Sequence, residues 1–291
     1  MRILTKALLD ATIERFDPAM RPLVIAFMTL LAAGLALSQS FEFLHTGPYC
    51  SNSDYGQGVT CIGGSGAGGD DAYLTSRTVN YSPTGGNSVI VSAYTCADKA
   101  CQQMPDTTLS IGDNINDPEP CMTKSPSSPF SLSEKSQGKE QLQEYIWVCT
   151  NIPDGVTSFT ATCSVPNQCS FITLTVTEWT GLAQSDVFDT DGGAASLVRE
   201  RQAALSTSSP TRYTNELLYT FLDNTRDQQM SPIPPYSTAL QFFRGNINTA
   251  SLVAKPGSQT TYTRWSTNDD WYGAIVALRT AASKPAKPEL Q

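Results

Sequence analysis

Two carboxylates interrupt apolar, strand-like sequence: Glu178 in Val176-Thr-Glu-Trp179 and Glu216 in Asn215-Glu-Leu-Leu218. Paired glutamates on one sheet of a jelly roll are what a glycoside hydrolase needs, one as acid and one as nucleophile, about 5–5.5 Å apart. Here no close spacing fixes such a geometry. Each Glu also reads as a strand-end residue, bonded to backbone or facing water, and Glu178 precedes the Thr180-Gly181 turn. A second chemistry is calcium binding, which takes six to eight oxygens from acidic loops. Asp186, Asp189 and Asp191, followed by Gly192-Gly193, are the candidates for a structural calcium; they do not match the EF-hand pattern. As solvated turns they need no ion, and neither do Asp113-Asn-Ile-Asn116-Asp117, Asn268-Asp269-Asp270 and Asp70-Asp71. A third is sugar stacking by Trp147, Trp179, Trp265 and Trp271 with Tyr262 and Tyr272, if they lie exposed in a row. Strand aromatics default to the core, and Tyr262 and Trp265 fall on opposite faces of an ideal strand.

The rest of the composition removes other chemistries. The only histidine among 291 residues is His45, so a multi-histidine metal site is excluded and a serine triad has one candidate base. Gly63-Gly-Ser-Gly-Ala-Gly-Gly69 lacks the lysine of a phosphate loop and reads as a linker. Nineteen Lys and Arg against 27 Asp and Glu leave a net charge of −8, the wrong sign for nucleic acid. No cofactor beyond the candidate calcium is expected. Asn80-Tyr81-Ser82 is a glycosylation sequon inside an expected strand.

Export is the expectation from both ends of the argument. Leu23 to Leu37 is an uncharged apolar run, short for a membrane span and right for a signal peptide. Small residues at Ala36 and Ser38 place cleavage before Gln39, making 1–38 the signal. Met20-Arg21-Pro22 begins an ordinary signal peptide by itself, so translation is expected to start at Met20. All eight cysteines follow that site. Counting alone allows 105 pairings. Short loops close most easily, which pairs Cys50 with Cys61, Cys96 with Cys101 and Cys163 with Cys169, and leaves Cys121 with Cys149. No C-x-x-C occurs, so structural bridges in an oxidising compartment replace zinc as the reading. After signal removal no membrane association is expected.

The elements that must position these residues are strands. In Cys169-Ser-Phe-Ile-Thr-Leu-Thr-Val-Thr-Glu-Trp179, Ile172, Leu174 and Val176 face one way and Thr173, Thr175 and Thr177 the other, which predicts a half-buried strand. Further strands are predicted at 78–82, 88–95, 107–111, 144–150, 158–163, 216–222, 239–244, 251–254, 260–264 and 272–279. Gly138–Gln143 and Ala194–Ala204 each suggest a short helix. Such a set predicts an all-β fold, a disulfide-stabilised two-sheet antiparallel β-sandwich of jelly-roll kind, with a barrel as runner-up. The sandwich domain occupies 76–280. A Gly/Ser-rich extension (39–75) precedes it, a polar tail (281–291) follows it, and no internal repeat is visible.

Several motifs in order resemble a β-sandwich domain found in exported bacterial proteins of adhesin and surface type. They are Thr78-Val-Asn-Tyr-Ser-Pro-Thr-Gly-Gly-Asn87, Val89-Ile-Val91, Trp147, Glu178-Trp-Thr-Gly-Leu182, Asn215-Glu-Leu-Leu218 and Trp271-Tyr-Gly-Ala-Ile-Val-Ala-Leu278. The resemblance spans about 77–280 and implies a jelly-roll or concanavalin-like fold without catalytic residues to carry over. The chain departs from it in its cysteines and in the insertion 121–143. The functional expectation is a non-enzymatic secreted or cell-surface protein acting in adhesion, display or extracellular assembly. Residues 39–75 are candidates to donate a strand to a neighbouring subunit. Alternatives are a carbohydrate-binding module and the Glu178/Glu216 glycosidase. Expected partners are other copies of the chain, or an extracellular glycan or surface.

Overall fold

Alternation and doubly buried runs sort the strands into outer and inner layers. The computed structural model describes residues 42–46, 76–96, 107–133, 141–165, 169, 171–196, 198–225, 228–242 and 246–285. The signal segment and start site, the Cys50–Cys61 pair, Cys101, most of 39–75 and the last six residues lie outside them. Seventeen strands are assigned: β1 (Glu42–Thr46), β2 (Ser76–Asn80), β3 (Ser88–Cys96), β4 (Leu109–Asp113), β5 (Thr123–Lys124), β6 (Phe130–Ser133), β7 (Gln141–Cys149), β8 (Ser158–Cys163), β9 (Phe171–Thr180), β10 (Phe188–Ala195), β11 (Glu200–Ser206), β12 (Tyr213–Asn224), β13 (Ser231–Pro232), β14 (Ser237–Phe242), β15 (Asn246–Val253), β16 (Thr260–Asp269) and β17 (Trp271–Pro285). Among the described residues there is no helix.

The expected antiparallel all-β sandwich is present, and it is built twice. The first half forms a large sheet ordered β1-β9-β3-β7-β5, with β6 also on β7, and a small sheet β2-β8-β4. The second half forms β10-β17-β12-β15-β14 and β11-β16-β13. Counting β5 and β6 as one interrupted strand, each half has eight positions. Both halves then read 1-8-3-6-5 in the large sheet and 2-7-4 in the small one. Two eight-stranded jelly rolls of identical connectivity therefore follow one another along the chain, a duplication the sequence reading did not detect.

The large sheets stack on each other. Tyr94 of β3 meets Phe221 of β12 with ring centroids 6.0 Å apart, and Ser92 Oγ lies 3.3 Å from the Tyr219 hydroxyl. Around this pair β10 faces β6, β17 faces β7 and β1 faces β14. Position 1 thus opposes 5, 8 opposes 6 and 3 opposes 3. A local two-fold axis along β3 and β12 accounts for all of these, as in an isologous dimer.

Four layers enclose three cores. Val91, Trp147, Phe159 and Leu174 fill the first sandwich. Trp179, Tyr219, Phe221, Ile146 and Val276 fill the layer between sandwiches. Leu205, Leu218, Trp265 and Ile275 fill the second. Inner strands are therefore buried on both faces: every residue of β3 is buried, as in the near-continuous apolar runs of any sheet covered twice. Outer strands alternate, as β8 and β11 do. Each fully buried Leu, Ile or Phe contributes about 1.5–3 kcal/mol.

Five local readings are corrected. Thr173, Thr175 and Thr177 do not face water; all are fully buried against the second jelly roll. Thr177 Oγ1 donates to the Ile90 carbonyl at 3.3 Å and accepts from Trp179 Nε1 at 2.8 Å, so its hydroxyl is satisfied inside the protein. Residues 194–204 are not a helix. Helix-favouring Ala, Glu and Arg lie in β10 and β11, where Ala203 and Leu205 are buried on one face. Gln141–Gln143, the end of the second expected helix, begins β7. The extension also contributes a strand: β1 pairs with β9 of its own chain. The tail begins later than expected, because β17 continues to Pro285.

Two bridges join Cys121 to Cys149 and Cys163 to Cys169. Cys96 is also disulfide-bonded.

Candidate functional site

The chain crosses from one jelly roll to the other through Gly181–Val187, and a concavity lies there. Gly181 turns with φ of 80°, a conformation glycine adopts freely. Leu182 then pairs with Thr280, Ala183 N donates to the Arg279 carbonyl at 2.9 Å, and Arg279 N donates to the Val187 carbonyl at 2.7 Å. The crossover is thereby laced to the end of β17. On its other side Thr150 Oγ1 donates to the Gln184 carbonyl at 3.2 Å. The groove so formed has a volume of about 630 Å³, within the range of small-ligand sites. Its lining includes the half-buried Phe188 and the buried Val148 and Val187, with Thr123, Thr150, Gln184, Ser185 and Asp186 as polar walls.

Two arginines stand at one end. The Arg279 guanidinium lies 4.6 Å from the Tyr213 ring centroid and that of Arg212 5.7 Å. Arg212 is committed to Asp189: its Nε donates to Oδ1 at 2.5 Å and its backbone N to Oδ2 at 2.6 Å. Arg279 Nη1 donates to the Asp186 carbonyl at 3.2 Å, while its buried Nε has no acceptor. Glu216 stands opposite Arg279 in the β12–β17 register. Its side chain is fully buried, close to Asp189, the Tyr213 backbone and Thr211. Burial, followed by the nearby Asp189 charge, pushes its pKa up to about 8.

The two candidate glutamates are not a pair. On β9 the even positions Ile172, Leu174 and Val176 enter the first core, so Glu178 points there. On β12 Leu218 and Leu222 enter the third core, so Glu216 points the opposite way. Two stacked sheets lie between them, and sheets pack about 10 Å apart. That separation exceeds what either glycosidase mechanism allows. Glu178 instead organises the turn before β3. It accepts from the Tyr81 hydroxyl at 2.5 Å, Asn87 Nδ2 at 2.6 Å and Thr84 N at 3.0 Å. Burial raises its pKa, but these bonds, led by Asn87, outweigh burial and hold it below the ordinary carboxylate value.

The calcium candidates also part company. Asp191 accepts from Ser125 Oγ, from Ser127 N at 2.8 Å and from Ser127 Oγ at 2.6 Å. Asp189 holds Arg212, and Asp186 is exposed, with a φ of 47°. Among the described residues no three His, Cys, Asp or Glu side chains gather as a metal site. All four tryptophans are buried, Trp265 the least so at 7% exposed. They form no sugar platform; Trp147 stacks on Tyr145 at 5.1 Å. His45 lies on β1 across from Glu178 in register.

Sequence reasoning missed Arg212, Tyr213 and Arg279, because they meet only through the pairing of β12 with β17. The available signal was an arginine inside the apolar stretch Ala274-Ile-Val-Ala-Leu-Arg279. It also missed Glu144, fully buried in the layer between sandwiches with both carboxyl oxygens unpartnered. Burial, then the nearby Asp223 charge, raises its pKa well above the ordinary value. Compared with protein-family models, curated proteins and solved structures, the chain matches none.

Proposed function

We propose that this chain is a non-enzymatic β-sandwich protein of the extracellular space or cell surface, acting in adhesion, display or assembly there. The observation that carries this reading is how its carboxylates are used. Glu178 ties down a turn, Asp191 ties down the 125–127 loop and Asp189 holds Arg212. Among the described residues Glu178 and Asp191 have donors and no second acid as partners, and Asp189, which lies beside Glu216, is held by Arg212. Disulfides suit an oxidising compartment, and two jelly rolls sharing a two-sided core make a stiff scaffold. The glycosidase alternative lacks the glutamate geometry it needs.

The test is fractionation of cells producing the full chain, with thiol trapping, followed by retention of cells on immobilised protein. Export with no trappable thiol and cell retention above an unrelated β-sandwich control are expected. A thiol-reactive cytosolic protein, or no retention, would overturn the reading.

A further inference from the structure

We infer that the layer between the two jelly rolls is a pH-operated latch, closed by the neutral carboxyl of Glu144 and opened when that carboxyl ionises. Glu144 lies on β7 between Leu142 and Ile146, and the alternation of the strand turns all three into the shared core. It is fully buried there, and neither carboxyl oxygen has a hydrogen-bond partner. A neutral acid tolerates such a site, whereas a carboxylate without donors or water does not. Its register neighbours are Tyr94 of β3 and Phe130 of β6. From the second jelly roll β17 packs on β7 and β10 packs on β6, and β10 brings Gly193 against the Phe130 ring. β12 reaches the same end of the layer. Its Phe221 meets Tyr94, and Asp223 is the next residue on that face, paired in register with Tyr272 of β17. Among the described residues the titratable groups turned toward Glu144 are therefore Asp223, Tyr94 and Tyr272, and the Asp223 charge opposes its ionisation. Glu216 is no part of the latch, since it points into the third core on the other face of β12.

One proton is thereby coupled to the contact between the halves. With Glu144 neutral, the apolar packing of Trp179, Tyr219 and Phe221 is unopposed. Once ionised, the carboxylate regains hydration only if water enters the layer, so parting of the two large sheets is the response that relieves it. The first and third cores lie on the far faces of those sheets and hold no part of this contact. The direction follows from burial. The pKa of Glu144 is raised in the closed protein, so its stabilisation of the closed form is fully present below about pH 4.5 and is lost as pH rises toward the raised value. Across that window each pH unit favours the open form about tenfold. The inference concerns this layer alone and does not rest on where the protein is displayed.

The test places one new thiol in the full chain, whose described cysteines include no free thiol. Its reaction with a soluble disulfide reagent is followed from pH 5 to 8, with the unsubstituted chain as blank. Ala274→Cys reports on the shared core and Ala93→Cys on the first core; both alanines are fully buried. Ala250→Cys is a second probe of the shared core if Ala274→Cys disturbs folding. Rates are divided by the thiol's own pH-dependent reactivity, measured in urea. Labelling of Ala274→Cys is then expected to rise about tenfold per pH unit, while that of Ala93→Cys stays level. Adding Glu144→Gln should level the Ala274→Cys rates, whereas adding Glu216→Gln should leave their rise in place. Equal rises at both probes would mean general unfolding and overturn the latch. So would level rates at Ala274→Cys in the parent chain. A rise that survives Glu144→Gln, or that Glu216→Gln abolishes, would overturn the role of Glu144.

Discussion

Glu178 and Glu144 show how one residue type takes opposite electrostatic roles according to its surroundings. Glu178 is ionised and surrounded by donors, and its pKa is lowered. A depressed carboxylate stabilises the fold above its unfolded pKa, and that stability is lost as pH falls through the folded value. Glu178→Ala leaves Tyr81, Thr84 and Asn87 donors without their acceptor and should cost on the order of 2–4 kcal/mol in urea unfolding at pH 7. The cost should shrink toward pH 3. Glu144 and Glu216 are the reverse case. Their raised pKa values favour the folded state at low pH, and this stability drains away as pH rises from about 4.5, through about 8 for Glu216. Glu216→Gln should therefore leave the melting temperature nearly unchanged at pH 4 and raise it at pH 9. Differential scanning calorimetry at the two values checks the sign.

At the scale of elements, bridges and strand faces divide the work. Cys121–Cys149 closes a 28-residue separation and fastens the segment before β5 to the end of β7. Cys163–Cys169 closes only 6 residues between β8 and β9. Loop-closure entropy then predicts a loss of about 3–4 kcal/mol for the Cys121→Ser/Cys149→Ser pair and about 2 kcal/mol for Cys163→Ser/Cys169→Ser. Chemical denaturation of the two double variants checks the order. β9 carries the other element-scale lesson. Its alternation was legible, but not that both of its faces are buried, because Thr fits a wet surface and a dry one equally well when backbone carbonyls accept its hydroxyl. Thr175 illustrates this with its bond to the Ser92 carbonyl at 3.4 Å. Replacing Thr175 by Lys should abolish folding of the soluble chain, whereas Thr162→Lys on the outer strand β8 should be tolerated; soluble yield of each variant distinguishes them.

At the scale of the molecule, the two jelly rolls are mutually dependent. Either one alone would expose the face that holds Trp179, Tyr219 and Phe221, residues at most 1% exposed in the whole. A contiguous apolar face of that size drives association. Cutting the chain between Ser185 and Asp186 should give two fragments that aggregate separately and reassemble one-to-one when produced together. Size-exclusion chromatography with mass measurement checks this. A soluble monomeric fragment would mean that the layer between sandwiches contributes little. The local two-fold also explains why the groove is made once: its walls include the crossover, which occurs once in the chain.

Period-two patterning, turn residues such as Gly86 and Gly181, and scarce charge determined the all-β class, because alternation and positive φ are local properties of the chain. Short loops likewise made Cys163–Cys169 the natural couple. The duplication was hidden, since β3 and β12 share connectivity while Ser92 and Tyr219 occupy facing positions with unrelated side chains. The distance between Glu178 and Glu216 was hidden for a related reason: which face of a strand meets which layer is settled by sheet stacking. Arg212, Tyr213 and Arg279 converge only because β12 and β17 are hydrogen-bonded neighbours, a pairing between residues far apart in sequence that no local pattern encodes.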